Sequence, residues 1–127
     1  MRVAIVGSRD YPNWSSIINF VKRLAGKYPD TVVVSGGARG VDSVAVKAAE
    51  LAGLKVEVYP ADWDKHGKKA GFLRNKTIVD RADKLVAFWD MESAGTAHSI
   101  GLALEKKIPV YVSGPESLSP VGPFFTR

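Results

Sequence analysis

The sequence predicts an α/β protein of the Rossmann-like type, with about five strands in one doubly wound parallel sheet. Five short runs of apolar and β-branched residues alternate with longer segments whose apolar residues recur at helical spacing. This alternation favours right-handed crossovers between parallel strands and helices on both faces of the sheet. The 127 residues are enough for one such domain and too few for two.

The first half of the chain contains three of the strands and two of the helices. The predicted strands are residues 3–6, 31–34 and 54–59. Apolar residues at helical spacing predict a helix over 14–27, which the turn-forming sequence Tyr28-Pro29-Asp30 ends. A second apolar stripe runs from Val41 to Ala52, and Gly53 suits the C-terminal end of that helix.

The second half predicts an ordered loop, two helices and two strands. Residues 61–81 mix aromatic and cationic side chains, and we expect a loop followed by a helix from about Lys69. The fourth strand is predicted over 85–89, and Ala97, Ile100, Gly101 and Leu104 mark the next helix. The fifth strand, 109–112, opens at a proline. We expect one domain over 1–112 and a Pro-, Gly- and Ser-rich tail over 113–127, held by Phe124 and Phe125.

Glycine and hydroxyl residues follow three of the predicted strands. These turns are Gly7-Ser8-Arg9 after the first strand, Ser35-Gly36-Gly37-Ala38-Arg39-Gly40 after the second, and Asp90 to Thr96 after the fourth. A strand order of 3-2-1-4-5 places those three strands side by side, so the turns meet at the edge where such sheets bind ligands. We therefore prefer this order to a flavodoxin-like order, which places the third strand among them.

The composition of these turns suits an anionic ligand. Glycines let backbone N–H groups approach an anion, and a helix N-terminus adds about half a positive charge. Arginine clamps phosphate bidentately, and hydroxyl groups donate to phosphate or ribose oxygens. We predict ligand contacts from Gly7, Ser8, Arg9, Ser35, Gly36, Gly37, Arg39, Gly40, Asp42, Gly95 and Thr96. Tight turn geometry also explains the glycines, and helix capping also explains Asp42.

The segment ADWDKHGKKAGFLRNK, residues 61–76, carries five Lys or Arg residues against two Asp residues. Trp63 suits base stacking, and Lys68 or Arg74 suits phosphate binding, with Asn75 able to orient a backbone group. Packing of Trp63 and Phe72 against the body of the domain or a second subunit is the alternative. We include Trp63, Lys68, Arg74 and Asn75 among the predicted ligand contacts.

Charge and composition narrow the possible partners. The net charge of +5 suggests a nucleotide or nucleic acid, although a lysine-rich solvated surface explains it equally well. No apolar run approaches the ~18 residues of a membrane span, and we expect no membrane partner. The absence of cysteine fits a reducing compartment, so we expect a cytoplasmic protein. Two histidines without cysteine give no metal-site pattern, and no cofactor is indicated beyond a nucleotide-type ligand.

Taken in order, these motifs resemble the small standalone YspA-like branch of the SLOG superfamily. The matching residues run from Gly7-Ser8-Arg9 through Ser35 to Asp42, Pro60-Ala61-Asp62-Trp63, Gly67-Lys68, Ala70-Gly71 and Arg74-Asn75 to Gly95-Thr96. The resemblance implies a Rossmann-like fold, a nucleotide-derived ligand at the glycine turns and often a homodimer. The superfamily also includes the lonely-guy phosphoribohydrolases and the Rossmann domain of DNA-processing protein A.

The lonely-guy enzymes cleave an N-glycosidic bond with a glutamate that follows a G-T-x-x-E turn. Here Ser99 stands at the position of that glutamate, and the resemblance implies that Arg74 corresponds to their substrate-binding arginine. Asp90 and Glu92, at the end of the fourth strand, are the candidate catalytic carboxylates. Three functions therefore stay open: binding of a nucleotide derivative, nucleoside-monophosphate N-glycosidase activity and binding of single-stranded nucleic acid.

Overall fold

A computed structural model describes residues 1–114 and 118–121 as an α/β domain built on one sheet. Its strands are β1 (Arg2–Gly7), β2 (Val32–Ser35), β3 (Lys55–Val58), β4 (Lys84–Phe88), β5 (Val110–Ser113) and β6 (Leu118–Val121). Its helices are α1 (Trp14–Lys27), α2 (Val41–Leu51), α3 (Trp63–His66), α4 (Ala70–Asp80) and α5 (Ala94–Lys106), with a 3₁₀ turn (Gly67–Lys69) before α4.

The sheet order is β3-β2-β1-β4-β5-β6, and neighbouring strands from β3 to β5 are parallel. This confirms the predicted order 3-2-1-4-5 and the Rossmann-like fold class. The order places β2, β1 and β4 next to one another, so the turns that follow them lie at one edge of the sheet.

Both faces of the central strand β1 are buried, which explains its continuous apolar sequence. Val3 and Ile5 pack in one core with residues of α1 and α2, including Ile17. Ala4 and Val6 point to the opposite face and pack in a second core with residues of α4 and α5, including Ile78. The two cores hold the helices on either side of the sheet.

Two elements differ from the sequence prediction. The expected loop before α4 contains the short helix α3, whose N-terminus is capped where the Asp62 carboxylate accepts a hydrogen bond from the Lys65 amide at 3.1 Å. Within the predicted tail, β6 pairs antiparallel with β5 and extends the sheet to six strands. The Pro, Gly and Ser content of this segment obscured a strand. Phe124 and Phe125 lie outside the described residues.

Among the described residues, no helix has the length and apolar character required to span a membrane.

Candidate ligand-binding site

A cavity of about 510 Å³ opens at the carboxyl ends of the strands. Its walls come from the turns after β1, β2 and β4 and from the segment containing α3 and α4. The predicted site residues that line it are Gly7, Arg9, Asp42, Trp63, Lys68, Arg74, Asn75, Asp90, Glu92, Gly95 and Thr96. The sheet order thus brings together residues that are almost ninety positions apart in the sequence, such as Gly7 and Thr96.

Six predicted site residues do not line the cavity: Ser8, Ser35, Gly36, Gly37, Arg39 and Gly40. Ser8 and Ser35 are buried, and their hydroxyl oxygens accept hydrogen bonds from the amides of Asp90 (3.1 Å) and Gly37 (3.2 Å). Arg39 is exposed outside the lining. The glycines of the β2–α2 turn shape the backbone beside the cavity.

The β1 turn joins the other two turns at close range. The Ser8 carbonyl accepts a hydrogen bond from the Val41 amide at 3.4 Å. The Ser8 amide donates to the Phe88 carbonyl at 3.1 Å. A methyl group at Gly7 would lie 2.6 Å from Cγ2 of Val41 and would also collide with the Phe88 carbonyl. Glycine at position 7 therefore allows the first turn of α2 to pack directly on β1.

Two amides of the β2–α2 turn are occupied by nearby side chains. The Gly37 amide donates to the Ser35 hydroxyl, and the Ala38 amide donates to the Asp42 carboxylate at 3.1 Å. Gly37 and Gly40 have φ angles of 70° and 81°, which glycine adopts without strain. The turn is therefore a closed hydrogen-bonded loop around Asp42.

Asp42 is a buried carboxylate, only 6% exposed, in the first turn of α2. Burial raises the pKa of its side chain from 3.8 to about 6, because removal from water disfavours the charged form. The hydrogen bond from the Ala38 amide and the nearby charge of Arg74 oppose that rise in pKa. A carboxylate with this environment in a cavity wall is typical of a functional group.

Arg74 and Asn75 of α4 connect the β2–α2 turn to the start of α5. The Arg74 guanidinium donates to the Gly36 carbonyl at 2.9 Å and to the Asn75 side-chain oxygen at 3.1 Å. Asn75 then donates to the Gly95 carbonyl at 3.2 Å and lies 3.3 Å from Nδ1 of His98. Their geometry holds the two turns at a fixed separation across the cavity.

The β4–α5 turn is built around Asp90 and Ser93. One Asp90 carboxylate oxygen accepts hydrogen bonds from the amides of Glu92 and Ser93, both at 2.9 Å, and these bonds lower the Asp90 pKa. Ser93 caps α5 through the Thr96 amide. The amides of Ala94 and Gly95, in the first turn of α5, have no acceptor among the described residues.

The outer wall of the cavity is aromatic and cationic. Trp63 is 55% exposed, Phe72 is 51% exposed, and both line the cavity beside exposed Lys68. Phe72 also packs edge-on against His98, with ring centroids 4.7 Å apart. Exposed aromatic faces beside a lysine suit stacking of a nucleobase.

Residues 1–66 match the family model described as the YspA, cpYpsA-related SLOG family. The chain belongs to that family. The SLOG chain is also 39% identical over 116 residues to the gene 61 protein of Mycobacterium phage D29, a match that covers 86% of this chain and 93% of that protein.

Solved structures that resemble this SLOG domain share its fold at low sequence identity. DNA processing protein A from Streptococcus pneumoniae has a TM-score of 0.71 at 23% identity, covering 87% of this chain and 49% of that one. DNA processing protein A from Helicobacter pylori, solved in work on its single-stranded DNA binding mode, has a TM-score of 0.65 at 24% identity, covering 88% and 64%. The X-ray structure of TM1055 has a TM-score of 0.65 at 19% identity, and the match covers 86% of this chain and 71% of TM1055. The chain thus spans half to two thirds of the DNA processing proteins.

The SLOG cavity also contains residues that the sequence prediction did not include. Ser99 lines it where the lonely-guy pattern has glutamate, and its hydroxyl donates to the Gly95 carbonyl at 3.3 Å. Asp10, Ser93 and Phe72 also line it. The position of Asp10 directly after Gly7-Ser8-Arg9 was the available signal, whereas a phenylalanine in an amphipathic helix gives no sign of facing a cavity.

Proposed function

We propose that this SLOG protein binds a nucleotide or nucleotide-derived ligand in the cavity at the strand ends. The observation that supports the proposal most directly is the convergence of the β1 and β4 turns, Asp42 and α4 on one cavity of about 510 Å³. That volume lies within the usual range of small-molecule sites. Polar groups at its base and exposed aromatic rings at its rim match the two ends of a nucleotide.

In this proposal, a phosphate group binds at the start of α5. The free amides of Ala94 and Gly95 and the positive end of the α5 dipole favour an anion there. Gly95 has no atom within 4 Å of the position that a Cβ would occupy, so the approach is open. Arg9 and Lys68 supply cationic side chains to the same cavity, and the base stacks near Trp63.

Isothermal titration calorimetry and thermal shift with mononucleotides, ADP-ribose and cyclic nucleotides test this function. A ligand at 100 times its dissociation constant should add about 2.7 kcal/mol to the free energy of unfolding. Gly95→Leu should abolish binding because its side chain fills the approach to the α5 amides. Gly101→Leu is the matched control, since Gly101 lies on the same helix, also has open space and does not line the cavity. Absence of any binding at millimolar concentration contradicts the proposal.

Glycosidic-bond hydrolysis is an alternative use of the same cavity. Glu92 favours it, because this exposed carboxylate lines the cavity, whereas one oxygen of Asp90 is occupied by two backbone amides. Release of free base from nucleoside monophosphates, measured by chromatography, tests it. Base release that persists unchanged in both Glu92→Ala and Asp90→Ala excludes these residues as its catalytic carboxylates.

Binding of single-stranded nucleic acid is a further alternative. Exposed Trp63 and Phe72 flank the exposed lysines Lys65, Lys68 and Lys69 in the sequence, and this combination stacks bases and neutralises phosphates. The likeness to DNA processing protein A adds support at the level of the fold. Fluorescence anisotropy with a labelled oligonucleotide measures this binding directly.

A homodimer and a cytoplasmic location are also proposed for this protein. The family resemblance supports the dimer, and the exposed apolar side chains of Trp63, Phe72 and Leu73 offer it a surface. Analytical ultracentrifugation decides the oligomeric state. Cysteine-free composition supports the reducing compartment.

A further inference from the structure

The β2–α2 turn has the glycine-rich sequence of a phosphate-binding loop, yet its interior holds a carboxylate. Asp42 is more than nine-tenths buried, lines the cavity and accepts the Ala38 amide at 3.1 Å. The Gly37 amide is taken by the Ser35 hydroxyl at 3.2 Å. Two backbone donors of this turn, the Gly37 and Ala38 amides, are therefore already used within the chain.

Charge also disfavours a phosphate at this turn. A ligand phosphate placed on it would lie against the Asp42 carboxylate, and like charges at short range repel strongly in a buried site. The nearby charge of Arg74 offsets part of this repulsion, but two of its guanidinium nitrogens already donate to the Gly36 carbonyl and to the Asn75 side-chain oxygen. A buried carboxylate instead accepts hydrogen bonds from neutral donors such as hydroxyl or amino groups.

The start of α5, on another wall of the cavity, has the opposite character. The amides of Ala94 and Gly95 have no acceptor among the described residues, and Gly95 lines the cavity. One wall thus offers free donors to an anion, and another offers a buried acceptor to a donor. A nucleotide carries both kinds of group at opposite ends.

We infer that the Asp42 carboxylate sets the orientation of the ligand in this cavity: it excludes phosphate from the β2–α2 turn and accepts a hydrogen bond from a neutral donor of the ligand. The phosphate then lies at the start of α5. This inference rests on the proposed nucleotide binding and assigns a specificity role to a residue for which the sequence left both a ligand contact and a helix cap open. The donor is either a ribose hydroxyl or an amino group of the base.

Residue-resolved NMR tests the exclusion without any assumption about the nucleotide. In ¹H–¹⁵N spectra of the wild-type protein, titrated inorganic phosphate should shift the amides of Ala94 and Gly95 and leave those of Gly37 and Ala38 unmoved. In Asp42→Ser, which removes the carboxylate, the Gly37 and Ala38 amides should shift as well. Asp42→Asn, which keeps the side-chain volume and removes the negative charge, provides a second variant if the serine variant does not fold. Phosphate should also shift the Gly37 and Ala38 amides of this variant, although less than in Asp42→Ser, because the asparagine oxygen still accepts from the Ala38 amide.

Calorimetry with AMP, 2′-deoxy-AMP and purine riboside monophosphate tests the donor. Asp42→Asn should lower the affinity for AMP about tenfold or more, which is the usual effect of losing a hydrogen bond to a charged group. The analogue that lacks the relevant donor should bind wild type and Asp42→Asn equally. If Asp42→Asn and wild type bind 2′-deoxy-AMP with equal affinity, the donor is the ribose hydroxyl. If they bind purine riboside monophosphate with equal affinity, the donor is the amino group of the base.

These experiments distinguish a failure of the role assigned to Asp42 from a failure of nucleotide binding. If wild-type Gly37 and Ala38 amides respond to phosphate as strongly as Gly95, or if Asp42→Asn leaves AMP binding unchanged, the role of Asp42 is wrong while nucleotide binding stands. If no nucleotide binds but Asp42→Ser gains phosphate at the turn, nucleotide binding is wrong and the exclusion of phosphate by Asp42 stands. If no nucleotide binds and the variants gain no phosphate at the turn, both fail.

Discussion

At the scale of single residues, the buried Asp42 carboxylate lines the cavity and lowers the stability of the folded protein at neutral pH. Its folded-state pKa of about 6 lies above its ordinary value of 3.8, so the folded protein holds this proton more tightly than the unfolded chain does. The free energy of unfolding therefore falls as pH rises from about 4 to about 6 and then stays lower. A buried group that lowers stability at neutral pH is the pattern expected of a residue kept for function.

We predict that Asp42→Asn raises the free energy of unfolding at pH 8. A difference of about two pKa units corresponds to about 3 kcal/mol, which sets the upper limit of the gain. Asparagine keeps an oxygen that accepts from the Ala38 amide. Urea unfolding of both proteins between pH 4 and pH 8 should show equal stability near pH 4 and an increasing advantage for the variant through pH 6.

Asp10→Asn is the matched control for that prediction. Asp10 lines the same cavity but is exposed, and an exposed substitution should change stability by no more than about 0.5 kcal/mol. A gain in Asp42→Asn that grows toward low pH, or that is absent at pH 8, contradicts the assigned effect of burial.

At the scale of elements, the close packing of β1, β4 and α2 depends on a missing side chain. We predict that Gly7→Ala lowers the free energy of unfolding by about 2 kcal/mol or more, because the new methyl group overlaps the Val41 side chain and the Phe88 backbone. Gly26→Ala in α1 is the opposite case, with no atom within 4 Å, and should raise stability by about 0.5–1 kcal/mol. Thermal unfolding of the two variants should move in opposite directions; a shared direction would contradict the packing argument.

The contact between α4 and α5 includes a lysine ammonium group at the C-terminal end of α4. The Lys106 ammonium donates to the carbonyls of Val79, Asp80 and Ala82, at 2.9, 3.0 and 3.1 Å, where α4 ends. Lys106→Met should lower the free energy of unfolding by about 1–2 kcal/mol, because these carbonyls lose a charged donor at the negative end of the helix dipole. Lys47→Met, at an exposed site on α2, should be nearly neutral in the same urea titration.

Elements with strong periodicity were predictable from sequence, and elements set by tertiary contacts were not. A strand that is buried on both faces needs an unbroken apolar run, and this run identified β1. The order 3-2-1-4-5 was predicted because it is the order that brings the three glycine turns to adjacent strands. By contrast, β6 exists as a strand through pairing with β5, which no local pattern encodes. Occupation of the Ala38 amide by Asp42 likewise depends on side-chain placement, since the same Gly36-Gly37 sequence equally suits an open phosphate loop.

At the scale of the whole molecule, the net charge of +5 is compatible with either a nucleotide or a nucleic acid. The two differ in which surface carries the binding. A nucleotide uses the cavity and the α5 amides, so a substitution at Gly95 affects it most. A single strand tracks the exposed lysines and aromatic rings of residues 63–72, so charge on that segment affects it most.

We predict that any affinity for a single-stranded oligonucleotide falls with salt in proportion to the contacts made by Lys65, Lys68 and Lys69. Replacing all three with glutamine should reduce the slope of log affinity against log salt by about 2, because each phosphate contact on a single strand contributes about 0.7. The control replaces the exposed Lys22, Lys47 and Lys55, which lie on α1, α2 and β3, and changes net charge equally. Equal slopes in the two triple variants would indicate a response to net charge alone and would exclude residues 63–72 as a nucleic-acid surface.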